Sequence, residues 1–169
     1  MCKILRIIIS ELESEGFQVL GADDIVRDLL APPGALGQNS PKALDWQDIQ
    51  IAAAAALSIG EQDVGQAAIA RFGKVVEVEG IDGTDVLIDK CKTQEIPSGV
   101  LVKRLKPKQD RRIDLPTIGL QTVKKVADAN LNGIVVEAMS TLVIEKSKVV
   151  AAADRLGIFI YGATKDEWV

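Results

Sequence analysis

A short basic segment in an otherwise acidic chain has the charge needed to bind phosphate. The chain of 169 residues carries a formal net charge of −4, of which residues 103–112 contribute +5 and the remainder −9. The cations of this basic segment are Lys103, Arg104, Lys106, Lys108, Arg111 and Arg112, and Asp110 is its single acid. Concentrated positive charge favours anionic ligands. A solvated loop with scattered charges is the alternative interpretation, and the charge pattern leaves both open.

The basic segment leads into residues 114–119, which read Asp-Leu-Pro-Thr-Ile-Gly and precede a predicted helix. Thr117 is predicted to cap this helix, whose N-terminus would favour anions. Asp114 follows the cations of the basic segment, where a carboxylate stays ionised. An ionised Asp114 could bind Mg²⁺ or activate a water molecule. The alternative is that Asp114 caps the helix or pairs with an arginine.

Acidic residues also follow two other predicted strands. Residues 79–85 read Glu-Gly-Ile-Asp-Gly-Thr-Asp, so Glu79, Asp82, Asp85 and the hydroxyl of Thr84 could serve a hard cation or a phosphate. Taken alone, such a segment is more often a turn that caps a helix. Glu137 closes a third strand. If the sheet is parallel, all three loops lie at its carboxyl edge, where ligands bind in α/β proteins.

Composition limits the chemistry that this chain can perform. It contains no histidine, which excludes Ser-His-Asp and Cys-His catalysis and zinc sites that need imidazole. Two cysteines, Cys2 and Cys91, are too few for a disulfide framework or a thiolate cage. Carboxylate ligands prefer hard cations, so Mg²⁺ or Mn²⁺ is the expected metal. Nucleic acid is not expected, because the pI is about 4.9 and no aromatics interleave with the basic segment.

Alternating apolar runs and amphipathic segments predict an α/β fold, a mostly parallel sheet flanked by helices in a single domain. No stretch is long and apolar enough to be a transmembrane segment, and no signal peptide is recognised, so we expect a cytoplasmic protein. The predicted helices cover residues 3–15, 62–72, 86–90, 122–129 and 147–156. A short helix capped by Asp23 or Asp24 is predicted to end at residue 30, and an alanine-rich helix is predicted to start at residues 40–41 and to be centred on residues 51–57. The predicted strands cover residues 17–20, 74–78, 99–105, 134–137, 142–144 and 158–161.

Several of these segments resemble one bacterial enzyme family. The most distinctive stretch comprises residues 99–103, Lys106-Pro107, Gln109-Asp110, Arg112 and residues 114–119. Residues 81–85, 133–138 and 152–157 are similar to further motifs, in the same order along the chain. Together they resemble the C-terminal domain of the UDP-2,3-diacylglucosamine pyrophosphatases of the lipid A pathway. The pattern departs at Asp82, where the family usually has Glu, and at Met139, where Gly is usual and Met would crowd a ligand.

The resemblance implies Mg²⁺-dependent hydrolysis of UDP-2,3-diacylglucosamine to lipid X and UMP, by attack of water at the α-phosphorus. It also implies a homodimer of two-domain subunits that hold the lipid substrate between their domains, in the cytoplasm or peripherally at the inner membrane. This chain would be one half, without the N-terminal domain, and would turn over weakly or not at all alone. The implied site comprises the catalytic Asp114; Asp114, Asp85 and Glu79 for metal; Thr84, Lys103, Lys106, Arg112 and Thr117 for phosphate; and, beyond these, Asp82 and Glu137.

Two other hypotheses belong to different functional classes. A non-catalytic homodimerisation domain that binds phosphate or nucleotide would also explain the basic segment and the helix N-terminus. A purely structural α/β domain would have no phosphate affinity. Divalent metal binding at Asp114 and Asp85 separates the enzyme from the binding domain, which does not need a metal.

Overall fold

A computed structural model describes residues 2–93, 96–107, 110–112 and 114–168, with side chains from residue 5 onwards. Lys108 and Gln109 of the predicted motif therefore lie outside the described residues. The helices are α1 Cys2–Ser14, α2 Ala22–Ile25, α3 Ala43–Glu61, α4 Thr84–Lys90, α5 Leu120–Asp128 and α6 Lys146–Leu156, with 3₁₀ turns at Arg27–Leu29 and Lys165–Trp168. The strands are β1 Gly34–Ala35, β2 Ala67–Arg71, β3 Lys74–Val78, β4 Val100–Lys103, β5 Thr117–Ile118, β6 Gly133–Glu137, β7 Leu142–Val143 and β8 Phe159–Ala163. Over the described range, none of the helices is long and apolar enough to cross a bilayer.

Six strands form one sheet in the order β1-β8-β6-β4-β2-β3. The central strands β4, β6 and β8 run parallel, whereas β1, β2 and β3 pair with their neighbours in antiparallel fashion. Strands β5 and β7 form a separate parallel pair. The predicted α/β fold is confirmed, with parallel strands at the centre of the sheet and antiparallel strands at its edges.

Helices cover both faces of this sheet. Helix α3 packs on one face through buried alanines such as Ala52 and Ala56, and α4, α5 and α6 pack on the other. Strand β4 follows the period of two expected of a strand. Leu101 faces α4–α6, while Val100 and Val102 face α3. This alternation decides on which side of the sheet each polar residue at a strand end lies.

Two of the predicted elements are wrong. Residues 17–20, predicted as a strand, pair with none of the described strands. Residues 62–72, predicted as a helix, contain β2, whose five residues are all buried. Alanine-rich sequence favours helix, but here burial between two neighbouring strands overrides that propensity.

Candidate active site

The three strand ends with polar residues lie at one edge of the sheet. Strands β3 and β4 both run antiparallel to β2, which places Glu79, directly after β3, at the same end as Lys103, the last residue of β4. Strand β6 runs parallel to β4 and ends at Glu137. The expectation of a shared carboxyl edge is therefore confirmed.

A chain of hydrogen bonds joins Glu79 to Lys103. The Thr84 hydroxyl donates to Glu79 Oε1 at 2.6 Å and accepts from Lys103 Nζ at 2.9 Å. The other oxygen of Glu79 accepts from the Gln66 backbone N–H at 2.7 Å. Lys103 Nζ also donates to the Thr117 carbonyl at 3.2 Å. These contacts fix the direction of the Lys103 ammonium, and no sequence pattern predicted them.

The ammonium of Lys103 is a buried cation among carboxylates. Lys103 is only 8% exposed, and burial lowers its pKa, while the charges of Glu79, Asp114 and Asp85 oppose that shift. Three predicted site residues thus lie within electrostatic reach of one lysine. A cation held away from water acts strongly on nearby charge, so Lys103 is well placed to neutralise a phosphate oxygen.

The carboxylates near Lys103 could supply only part of the coordination shell of a divalent cation. Among the described residues, no group of three Asp, Glu or Cys side chains is arranged to hold a metal ion. Both oxygens of Glu79 accept hydrogen bonds from the protein itself. However, Mg²⁺ in phosphoryl-transfer sites is commonly held by one or two carboxylates, with water and substrate phosphates completing the shell. Asp114 is partly buried, and Asp85 is exposed with Oδ2 3.9 Å from Lys125 Nζ. These two carboxylates are the candidates for such a site.

The basic segment is largely engaged in ion pairs within the protein. Lys106 Nζ lies 3.0 Å from Asp63 Oδ1. Arg112 lies 2.8 Å from Asp110 and 2.6 Å from Glu13 of α1. Hydrogen bonds from these cations lower the pKa of Asp63 and of Asp110. These contacts of Lys106 and Arg112 are thus with other carboxylates and not with the hydrogen-bonded residues Glu79, Thr84 and Lys103. For the predicted role in phosphate binding, a phosphate would have to compete with these carboxylates.

Glu137 belongs to the opposite face of the sheet. Its position in β6 points it toward α3, where Glu137 Oε2 accepts from the Leu105 backbone N–H at 3.3 Å and lies 3.9 Å from Arg104 Nε. The Arg104 guanidinium lies 4.7 Å from the centre of the Trp168 ring. Glu137 therefore holds the start of the basic segment rather than joining Lys103.

The two remaining predicted residues differ in their setting. Asp82 is exposed in the turn before α4. The predicted capping of α5 by Thr117 is wrong. Thr117 lies in β5, and its hydroxyl donates to the Leu115 carbonyl at 3.1 Å. The N-cap is Gly119, whose N–H donates to Thr122 Oγ1 at 3.3 Å. Thr117 contributes its carbonyl to Lys103 instead of its hydroxyl to a ligand.

Comparison with known proteins identifies the family to which this chain belongs. Residues 32–161 match the model of the LpxI C-terminal domain. This chain belongs to the LpxI C-terminal domain family. The protein named UDP-2,3-diacylglucosamine pyrophosphatase LpxI from Caulobacter vibrioides is 39% identical over 174 residues, which covers 97% of this chain and 61% of the relative. The chain thus spans less than two thirds of that relative's length.

The matched LpxI region contains all the predicted site residues, from Glu79 to Glu137. It also contains the turn after β6, where the resemblance predicts glycine in place of Met139. Met139 adopts φ 56°, a left-handed conformation that glycine enters without the steric cost paid by other residues. A glycine, which the resemblance predicts at this position, would adopt this backbone conformation without that cost. The Met139 side chain is 50% exposed.

Replacing Met139 with glycine is expected to raise the free energy of unfolding by about 0.5–1 kcal/mol. Relief of the left-handed strain outweighs the greater freedom of glycine in the unfolded chain. Urea denaturation of the wild type and Met139→Gly tests this. The control is Ala138→Gly, since Ala138 is outside the left-handed region and should lose about 0.5–1 kcal/mol. Equal losses in both variants would contradict the strain argument.

Proposed function

We propose that this chain is the catalytic domain of a metal-dependent pyrophosphatase that hydrolyses UDP-2,3-diacylglucosamine to lipid X and UMP. Membership of the LpxI C-terminal domain family and the name of the Caulobacter relative, UDP-2,3-diacylglucosamine pyrophosphatase, support the choice of substrate. The observation that carries the proposal is the buried Lys103 ammonium, which hydrogen bonds to Thr84 and to the Thr117 carbonyl hold at this edge of the sheet. The charges of Asp114 and Asp85 act on the same ammonium. Charge neutralisation and positioning are the main tasks in phosphoryl transfer.

Each group would have a distinct task in the hydrolysis. Water attacks the α-phosphorus, the bridging P–O bond breaks, and the β-phosphate leaves with the sugar as lipid X. Lys103 neutralises charge on the phosphate oxygens, and Asp114 either helps to hold the metal or accepts the proton of the attacking water. Asp85 is the second candidate ligand for the metal. Mg²⁺ or Mn²⁺, when bound, would neutralise further charge on the phosphates.

Partners of this domain are also part of the proposal. The relative is longer than this chain, which supports a further domain. We propose that this domain is N-terminal, that it encloses the lipid substrate together with this chain, and that the protein is a homodimer. Positioning between two domains supplies much of the rate in such an arrangement, so we expect weak turnover or none from this chain alone. The proposed setting is the cytoplasm or the inner face of the inner membrane, where the lipid substrate would be available.

The proposal is tested by titrating Mg²⁺ or Mn²⁺ and UMP into the wild type and Asp114→Ala, with calorimetry or NMR shifts as the readout. We expect metal-dependent UMP binding that is lost in Asp114→Ala. Asp128→Ala is the control, because it removes an exposed aspartate at the far end of α5. UMP binding that needs no metal and survives Asp114→Ala would instead favour the non-catalytic nucleotide-binding domain.

A further inference from the structure

Arg111 connects three segments of the chain through one guanidinium group. Its Nε donates to Asp23 Oδ2 in α2 at 2.9 Å. Its two Nη atoms donate to Ser140 Oγ at 2.8 Å and to the Met139 carbonyl at 2.7 Å, both in the turn after β6. The planar fork of arginine reaches several acceptors in fixed directions, which the single ammonium of lysine cannot reproduce.

The same turn is fixed from its other side. The Met139 N–H donates to the Ala31 carbonyl and the Ala31 N–H donates to the Thr141 carbonyl, both at 2.9 Å. Ser140 is 5% exposed and Thr141 is fully buried. The turn is therefore a firm support, and Arg111 attaches the basic segment to it.

Asp114 lies between two fixed points of the chain. On one side, Arg111 is held by the turn before β7. On the other side, Pro116 accepts a hydrogen bond from the Leu142 N–H at 2.8 Å, and β5 pairs with β7 from there on. Both points rest on residues 139–143, so one stretch of chain holds the backbone at Arg111 and again at Pro116, on either side of Asp114 in the sequence.

We infer that Arg111 is a positioning residue that holds Asp114 at the carboxyl edge of the sheet. The inference rests on the proposed function, because it takes Asp114 as the residue that must be placed. Removal of Arg111 releases only the first fixed point. The pairing of β5 with β7 and the buried Leu115 remain to keep the rest of the segment in place.

The test is the ¹³C chemical shift of the Asp114 carboxyl group, recorded at constant pH without metal and assigned by its loss in Asp114→Asn. We expect Arg111→Gln and Arg111→Lys both to move this signal, since lysine keeps the charge but not the three contacts. Arg155→Gln, which removes an exposed arginine in the last turn of α6, is expected to leave it unchanged. Ser140→Ala and Asp23→Ala each remove one acceptor of Arg111 and should give smaller shifts.

The variants separate positioning from charge. An Asp114 signal in Arg111→Lys that coincides with the wild type would overturn the inference, because charge alone would then suffice. A shift in Arg155→Gln as large as in Arg111→Gln would overturn it as well. If Arg111→Gln does not fold, Ser140→Ala and Asp23→Ala decide the question in the same way. The carboxyl shift needs no ligand, so failure of UMP to bind would defeat the proposed function without touching this result.

Discussion

Replacing Thr84 with valine is expected to lower the free energy of unfolding by about 2–4 kcal/mol, whereas serine should cost less than about 1 kcal/mol. Valine has nearly the same shape but no hydroxyl, so Glu79 loses a donor and Lys103 an acceptor. Glu79 and Lys103 are both more than nine-tenths buried, with exposures of 6% and 8%, respectively. Hydrogen bonds to buried charged groups contribute more than neutral ones.

Chemical denaturation of both Thr84 variants measures this difference. The control is Thr117→Val, because the exposed Thr117 uses its hydroxyl only locally, on the Leu115 carbonyl. Thr117→Val should change the free energy of unfolding by less than about 1 kcal/mol. If Thr84→Val is no less stable than Thr84→Ser, the hydroxyl does not link the two charges as described.

Alkaline pH is expected to stabilise the wild type relative to Lys103→Met. Burial lowers the pKa of Lys103 in the folded protein, whereas in the unfolded chain it returns to about 10.4. Between these two values the unfolded chain holds a proton that the folded chain has released, so stability rises with pH. The slope can reach at most about 1.4 kcal/mol per pH unit, and Lys103→Met has no such proton.

Urea denaturation of both proteins at several pH values from about 8 to 10 gives this slope as a difference. Other groups that titrate in this range are common to both proteins and cancel in the comparison. Lys124→Met, which removes an exposed lysine of α5, should show no such slope against the wild type. A difference that falls with rising pH would mean that the folded protein holds the Lys103 proton more tightly than the unfolded chain does.

The edge of the sheet that carries the site was predictable from the sequence. The runs that end at Val78, Lys103 and Glu137 have the β-branched character of strands, and each is followed by polar residues. Parallel order then implied that these ends share one edge. The fold class follows from the same alternation of strands and helices, and the long motif around Asp114 pointed to the family.

The partners of the charged groups were not predictable. Arg112 pairs with Glu13, which lies 99 residues earlier, and Lys106 with Asp63, which lies 43 residues earlier. Local patterns contain no information on such distant contacts. The separation of Glu137 from Lys103 depends on the strand register, since one position along a strand changes the face on which a side chain lies. The sequence pattern identified the strand ends, but not their faces.

The ion pairs of the basic segment have a consequence for the kind of anion that this surface accepts. A phosphate that binds Lys106 or Arg112 would compete with carboxylates that remain tethered nearby, on Asp63, Glu13 and Asp110. These carboxylates are covalently part of the protein, so they stay close to the cations and continue to compete with any bound anion. A singly charged ion gains little from the exchange, while a pyrophosphate brings enough charge to occupy several cations together. If this surface binds anions, these pairs would therefore favour polyanions over single phosphate ions.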